Sequence, residues 1–166
     1  KGQLLDPYDG IKDMGTRWIR SVGEPKERFG EDALRIMRAV RLSAELDFAI
    51  EPKTEAAIGE SAAQLEKVSK ERVRDEFVRI LNSAQPMKAL ILSHKLGILK
   101  YIAPELEDGI GVEQNQAHSF DVFEHNLRSL QHAADKNWDF DIRLAALFHD
   151  VGKPQARRRS EEKNDW

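Results

Sequence analysis

The chain has 166 residues, enough for one large domain or two small ones and for a real hydrophobic core. Its 40% hydrophobic and 33% charged content suits a globular protein rich in charged helices. No cysteine is present, which excludes a disulfide framework and a thiolate metal site and fits a reducing cytoplasm; no apolar run reaches membrane-spanning length and no signal-peptide pattern opens the chain. Net charge is −3 but unevenly spread: residues 12–41 hold eight Lys/Arg against five Asp/Glu, and residues 102–150 hold three against ten. A basic first third suits phosphate contact, and an acidic later segment with histidines suits a divalent metal. The chain begins at Lys1 and ends in Glu161-Glu162-Lys163-Asn164-Asp165-Trp166, which reads as a piece of a longer protein.

Residues 1–23 read as an irregular or hairpin-like lead. Asp6-Pro7 and Asp9-Gly10 are turn signals, and Trp18-Ile19-Arg20-Ser21-Val22-Gly23 is a plausible strand. The spacing then predicts one helix from Gly30 to Asp47. At about 100° per residue, Ala33, Ile36, Met37, Val40 and Ala44 share one face, while Glu31, Arg35, Arg38, Leu42 and Glu45 share the other. Asp32 lies one turn before Arg35 and can meet it at i, i+3. Guanidinium forks on such a face suit phosphates and base edges. By spacing alone, a solvated face held by weak ion pairs fits equally well.

Glu51-Pro52 opens a second helix, to about Leu65, and Ser69 is a good N-cap for a third. There Val73, Phe77, Ile80 and Leu81 form the apolar stripe, with Arg72–Glu76 and Asp75–Arg79 as outer i, i+4 pairs. Pro86 opens a fourth helix that stops near Gly97, and Leu99, Ile102 and Leu106 continue a short apolar helix around Pro104. No strand pattern follows residue 25, and the loop Asp108-Gly109-Ile110-Gly111 is the best boundary. A further helix begins in Ser119–Leu127, and Ile142–Phe148 is a nearly all-apolar, buried helix that ends in His149-Asp150 and stops at Gly152 and Pro154. A neighbouring imidazole and carboxylate at the end of a buried helix need partners, and a divalent cation is one.

The string Glu31-Asp32-Ala33-Leu34-Arg35-Ile36-Met37-Arg38-Ala39-Val40-Arg41, preceded by Glu27-Arg28-Phe29, closely resembles the neck helix of the bacterial tRNA nucleotidyltransferase and poly(A) polymerase family, the CCA-adding enzymes. The resemblance implies that Asp32 and Arg35 act as an amino-acid template for the Watson–Crick edge of an incoming ATP or CTP. Arg28 and Arg38 would position these groups or touch phosphate, and Glu31 is counted with them as nucleotide-binding. Arg72-Val73-Arg74-Asp75-Glu76-Phe77 resembles the family's motif that braces the neck, with Arg72 and Glu76 as the brace. Asp6-Pro7-Tyr8-Asp9-Gly10-Ile11-Lys12-Asp13 resembles the segment that closes the catalytic head.

His149-Asp150-Val151-Gly152-Lys153, with the upstream Glu124-His125, resembles the HD phosphohydrolase superfamily, whose ligand set is His…His-Asp…Asp. His125, His149 and Asp150 would be three metal ligands, and the fourth, a distal Asp, is expected downstream of Trp166. His118 reads as a loop residue, and His94 and His132 receive no role.

The family's head carries a Gly-Ser motif and an Asp-x-Asp pair that hold two Mg²⁺. Neither stands before residue 31, and Asp139-Phe140-Asp141 reads as a helix start, so the chain holds no catalytic residue for polymerisation and should not polymerise by itself. The expected fold is mainly α: the end of a head over residues 1–23, a helical neck and body bundle over 24–108, and a partial all-α HD domain over 109–166. The expected partners are the tRNA 3′ end and ATP or CTP, with no membrane. The alternatives are a metal-dependent phosphohydrolase acting through the HD residues, or a non-catalytic RNA-binding module.

Overall fold

The structure is a computed structural model that describes residues 4–113 and 120–156. It is mainly helical, as expected, with one two-stranded parallel pairing. Among the described residues no helix is long and apolar enough to cross a membrane.

The lead is more ordered than its turn signals imply. The Asp6 carboxylate accepts from the Gly10 and Ile11 N–H groups at 2.7 and 2.9 Å and so starts helix α1, Gly10–Thr16. Arg17, with φ 57°, ends it in the left-handed region. Strand β1, Trp18–Ile19, pairs in parallel with β2, Ala49–Ile50. Two residues are too few to show a period, so the β2 partner, downstream of residue 25, has no sequence signal.

The helix expected over 30–47 is two helices, α2 (Pro25–Glu31) and α3 (Leu34–Leu46). Asp32 between them is extended, at φ −152° and ψ 101°. Its Oδ1 accepts from the Leu34 N–H at 3.1 Å, so a local side-chain bond replaces helix continuity. The α3 apolar stripe is as the spacing predicts: Ile36, Met37 and Val40 are fully buried.

Helix α4, Pro52–Ser61, begins where Glu51 accepts from the Thr54 N–H at 2.8 Å, then tightens into a 3₁₀ segment over Ala62–Lys67. Helix α5 covers Lys70–Leu81 and α6 covers Pro86–Lys95, with Gly97 at φ +67° closing α6. Two 3₁₀ turns, Leu99–Tyr101 and Pro104–Gly109, stand where one short helix was expected. A Cβ on Gly109 would lie 2.9 Å from the Phe123 backbone nitrogen, so glycine permits this turn to pack on the start of α7, Val122–Asp135. Asp121 caps α7 by accepting from the Glu124 N–H at 2.7 Å.

Helix α8 covers Phe140–Phe148, and Asp139 is its N-cap residue. The expectation that this helix is buried is corrected: only Arg143 and Leu147 are buried, and Ile142 is 47% exposed among the described residues. One face of α8 packs on α7 and α5; its other face meets none of the described helices closely enough to cover it. The core itself is continuous, running from Ile36 and Met37 through Ile58, Ile80, Leu90 and Leu106 to Leu127, Leu130 and Leu147. Each such fully buried aliphatic side chain contributes about 1.5–3 kcal/mol.

Candidate functional site

Two clusters of functional side chains emerge. The first surrounds the α2–α3 break. The Arg28 guanidinium donates to Glu31 Oε2 at 2.9 Å, and Arg35 donates to the same oxygen at 2.6 Å. Arg35 also donates to the Arg28 carbonyl at 3.1 Å, so the last turn of α2 fixes its direction. The i, i+3 meeting of Asp32 with Arg35 does not occur. Asp32 Oδ2 instead accepts from Arg72 on α5 at 2.9 Å, while Oδ1 is held by the Leu34 N–H. Burial of the Asp32 carboxylate favours its neutral form. The Arg72 fork, the Leu34 N–H and the charges of Arg72 and Arg38 outweigh that, so its pKa lies below the ordinary value. Glu31 is likewise lowered, chiefly by its bond from Arg35 and despite partial desolvation.

Arg28, Arg35 and Arg38 line a cavity of about 200 Å³ together with Arg20, over an apolar wall that includes Phe29 and Leu42. Asp32 is not among its lining residues. A larger groove of about 850 Å³, between β2 and α6, contains none of the site residues the sequence singles out.

The outer pairs read along α5 are also rearranged. Glu76 is buried and accepts from Arg41 at 2.8 Å and Arg38 at 3.5 Å, while Asp75 pairs with its neighbour Arg74. Burial disfavours the charged Arg41 guanidinium, but Glu45 and Glu76 more than offset this and raise its pKa. The sequence reading missed Arg41. The signal for a buried Glu76 lay in its position, three residues after Val73 and four before Ile80, on the apolar stripe rather than outside it.

The second cluster joins α7 to the end of α8. His125 Nε2 lies 3.1 Å from His149 Nε2, and Asp150 Oδ2 lies 3.6 and 3.4 Å from these nitrogens. His149 Nδ1 is 2.9 Å from the Ala146 carbonyl, which can only accept, so Nδ1 carries the proton and Nε2 offers its lone pair to the cluster. Ligand atoms about 2.1 Å from one tetrahedral ion stand roughly 3.4 Å apart. Two imidazole nitrogens and one carboxylate oxygen at these separations fit a divalent cation. Lys153 donates to the same Asp150 Oδ2 at 2.6 Å.

His94 and His132 lie outside this cluster: His94 Nδ1 meets Glu107 at 2.6 Å, and His132 stands edge-on to Trp138. His118 falls outside the described residues. A residue given no role in the sequence, Arg143 on α8, is buried and donates to the carbonyls of Leu81, Ser83 and Trp138 at 2.9–3.0 Å. A lone arginine in the apolar run 142–148 was the available sign.

Residues 47–110 match a family described as the probable RNA and SrmB-binding site of polymerase A, and residues 122–165 match the HD domain. An A-adding tRNA nucleotidyltransferase of Deinococcus radiodurans is 38% identical over 160 residues, covering 92% of this chain and 36% of that protein. A CCA-adding enzyme of Lactococcus lactis is 49% identical over 107 residues, covering 64% of this chain and 27% of that protein. The solved Bacillus stearothermophilus CCA-adding enzyme, in complex with CTP, is 40% identical and superposes with a TM-score of 0.60, over 63% of this chain and 27% of that one. The chain thus spans about a third of the length of the curated relatives it matches. With the motif string at the α2–α3 break and the His-Asp end of α8, these matches show that the chain belongs to the bacterial tRNA nucleotidyltransferase and poly(A) polymerase family.

Proposed function

We propose that the chain serves a tRNA nucleotidyltransferase that adds CMP, AMP or both to tRNA 3′ ends, and that it supplies base selection and RNA contact. Residues 24–108 are its neck and body, residues 109–166 the start of an HD domain, and residues 1–23 the end of a nucleotidyltransferase head. The observation that carries the reading is the α2–α3 break, at which Asp32 is held by the Leu34 N–H and Arg72 while Arg35 is directed by Glu31 and the Arg28 carbonyl.

Cytosine and adenine share one feature on their pairing edge: an exocyclic amine beside a ring nitrogen acceptor. Guanine and uracil present a carbonyl beside a ring N–H. An ionised carboxylate only accepts and a guanidinium only donates. Asp32 therefore takes the amine and Arg35 donates to the ring nitrogen, which selects C and A and leaves G and U with like groups opposed. Arg28 and Arg38 hold phosphate or orient Arg35, and Glu31 directs Arg35. Asp32, whose pKa lies below the ordinary carboxylate value, is an ionised acceptor at neutral pH. Two Mg²⁺ would serve transfer in the head. Acting on tRNA, ATP and CTP, the protein would work in the cytoplasm.

The test is equilibrium binding of ATP, CTP, GTP and UTP to the wild-type chain and Asp32→Ala. The reading expects ATP and CTP to bind more tightly than GTP and UTP, with the preference lost in the variant. Equal affinity for all four, or an unchanged preference in Asp32→Ala, would overturn it.

The convergence of His125, His149 and Asp150 favours a second reading, metal-dependent phosphohydrolysis. A bound divalent ion would supply an activated water and a positive charge for phosphate. His149 is held for ligation by the Ala146 carbonyl, and Asp150 is a largely enclosed carboxylate. Hydrolysis of a 2′,3′-cyclic phosphate that disappears in His149→Ala would support it.

A further inference from the structure

The His125, His149 and Asp150 cluster contains a positive charge of its own. Lys153 follows Asp150 by one turn, with its backbone N–H donating to the Asp150 carbonyl at 3.0 Å. That turn brings its ammonium to 2.6 Å from Asp150 Oδ2. The same oxygen faces both imidazole Nε2 atoms, at 3.4 and 3.6 Å. An ion bonded to the three donor atoms would sit on the oxygen that Lys153 holds. It would then lie within about 5 Å of the ammonium, taking a ligand bond of about 2.1 Å. Asp150 is 12% exposed, so solvent screens that repulsion weakly, whereas the Lys153 side chain is 51% exposed and has room to swing into water.

We infer that Lys153 is a built-in competitor for the divalent ion: the cluster exchanges an ammonium for a metal, and Lys153 sets how tightly the metal binds. The inference rests on reading His125, His149 and Asp150 as metal ligands. Without metal, Lys153 keeps the enclosed Asp150 carboxylate paired, and the two imidazoles hold each other at 3.1 Å. With metal, Lys153 withdraws toward solvent. The chemistry needs no change in the protonation of lysine, only its displacement.

The test is calorimetric titration of Mn²⁺ into the whole chain at neutral pH, for wild type, Lys153→Met, Lys153→Gln and Lys153→Arg. Removing the charge should tighten Mn²⁺ binding about tenfold or more in both the Met and Gln variants, whereas Arg, which keeps the charge, should stay near wild type. A second readout is thermal unfolding: the neutral variants should lose stability without metal and gain more than wild type when Mn²⁺ is added. Equal Mn²⁺ affinity in wild type and both neutral variants overturns the competitor role and leaves the ligand assignment standing. Weaker binding in the neutral variants overturns it too, because Lys153 would then assist the metal. If neither wild type nor the neutral variants take up Mn²⁺, the ligand assignment and the competitor role fail together.

Discussion

The α2–α3 break and the α7–α8 cluster are built on opposite plans. At the break, guanidinium groups meet carboxylates and short bonds direct the forks: Glu31 to Arg28 and Arg35, Glu76 to Arg41, Asp32 to Arg72, with Arg38 at 3.5 Å from Glu76. At the cluster, three lone-pair donors converge on one point beside a single lysine contact. The first arrangement is held by its own contacts, and on the proposed reading a base would enter by exchange, sharing Asp32 with Arg72 and drawing Arg35 from Glu31. The second gathers the ligand atoms a metal would use, held without metal by the His125–His149 contact and the Lys153 ammonium on Asp150. Helix α5 serves both ends. Its first turns supply Arg72 and Glu76 to the break, and its final carbonyl, Leu81, is held by Arg143 of α8.

The comparison can be broken most severely at Glu76. Glu76→Ala leaves the largely buried Arg41 with one carboxylate fewer, and a loss of about 3–5 kcal/mol is expected by denaturant unfolding. A loss under about 1 kcal/mol would mean that the buried pair does not brace the neck. Next is Arg143→Met, which keeps bulk but strands three carbonyl contacts. About 1–3 kcal/mol should be lost, with hydrogen exchange accelerated in α8 more than in α3. Equal acceleration in both helices would deny that Arg143 is a local clamp.

Smallest is Asp32→Asn, expected to cost about 1 kcal/mol at pH 7 through the weakened Arg72 contact and helix start. Because the folded pKa of Asp32 is depressed, its contribution is complete above the ordinary carboxylate pKa of about 3.9 and vanishes as pH falls through the lowered value. The wild-type and Asn curves should therefore converge toward acid. A gap that stays constant from pH 7 to pH 2 would assign the effect to packing instead.

Most of the helices were legible because period and punctuation agree. Pro52, Ser69 and Pro86 start helices where the sequence places them, and Gly97 ends one. The His149-Asp150 cluster was legible because two of its three donors are adjacent and the helix ending there fixes their direction. The α2–α3 break was not, because apolar spacing runs through it unbroken. What interrupts the helix is the Asp32 side chain bonding Leu34, secured by Arg72 forty residues away. Local periodicity carries no information about such a partner. The parallel β1–β2 contact was hidden for the same reason, and the exposed side of α8 because a uniformly apolar run does not say how much of it is covered.

The account stands most directly on the claim that a base enters by exchange at Arg35 and Asp32. Arginine side-chain Nε–Hε resonances report this, followed by NMR while CTP or UTP is added. The account predicts that the Arg35 and Arg72 signals shift with CTP and stay in place with UTP, as Arg35 turns from Glu31 to the base and Arg72 shares Asp32 with the amine. Signals that ignore CTP, or that move equally with both nucleotides, would contradict it.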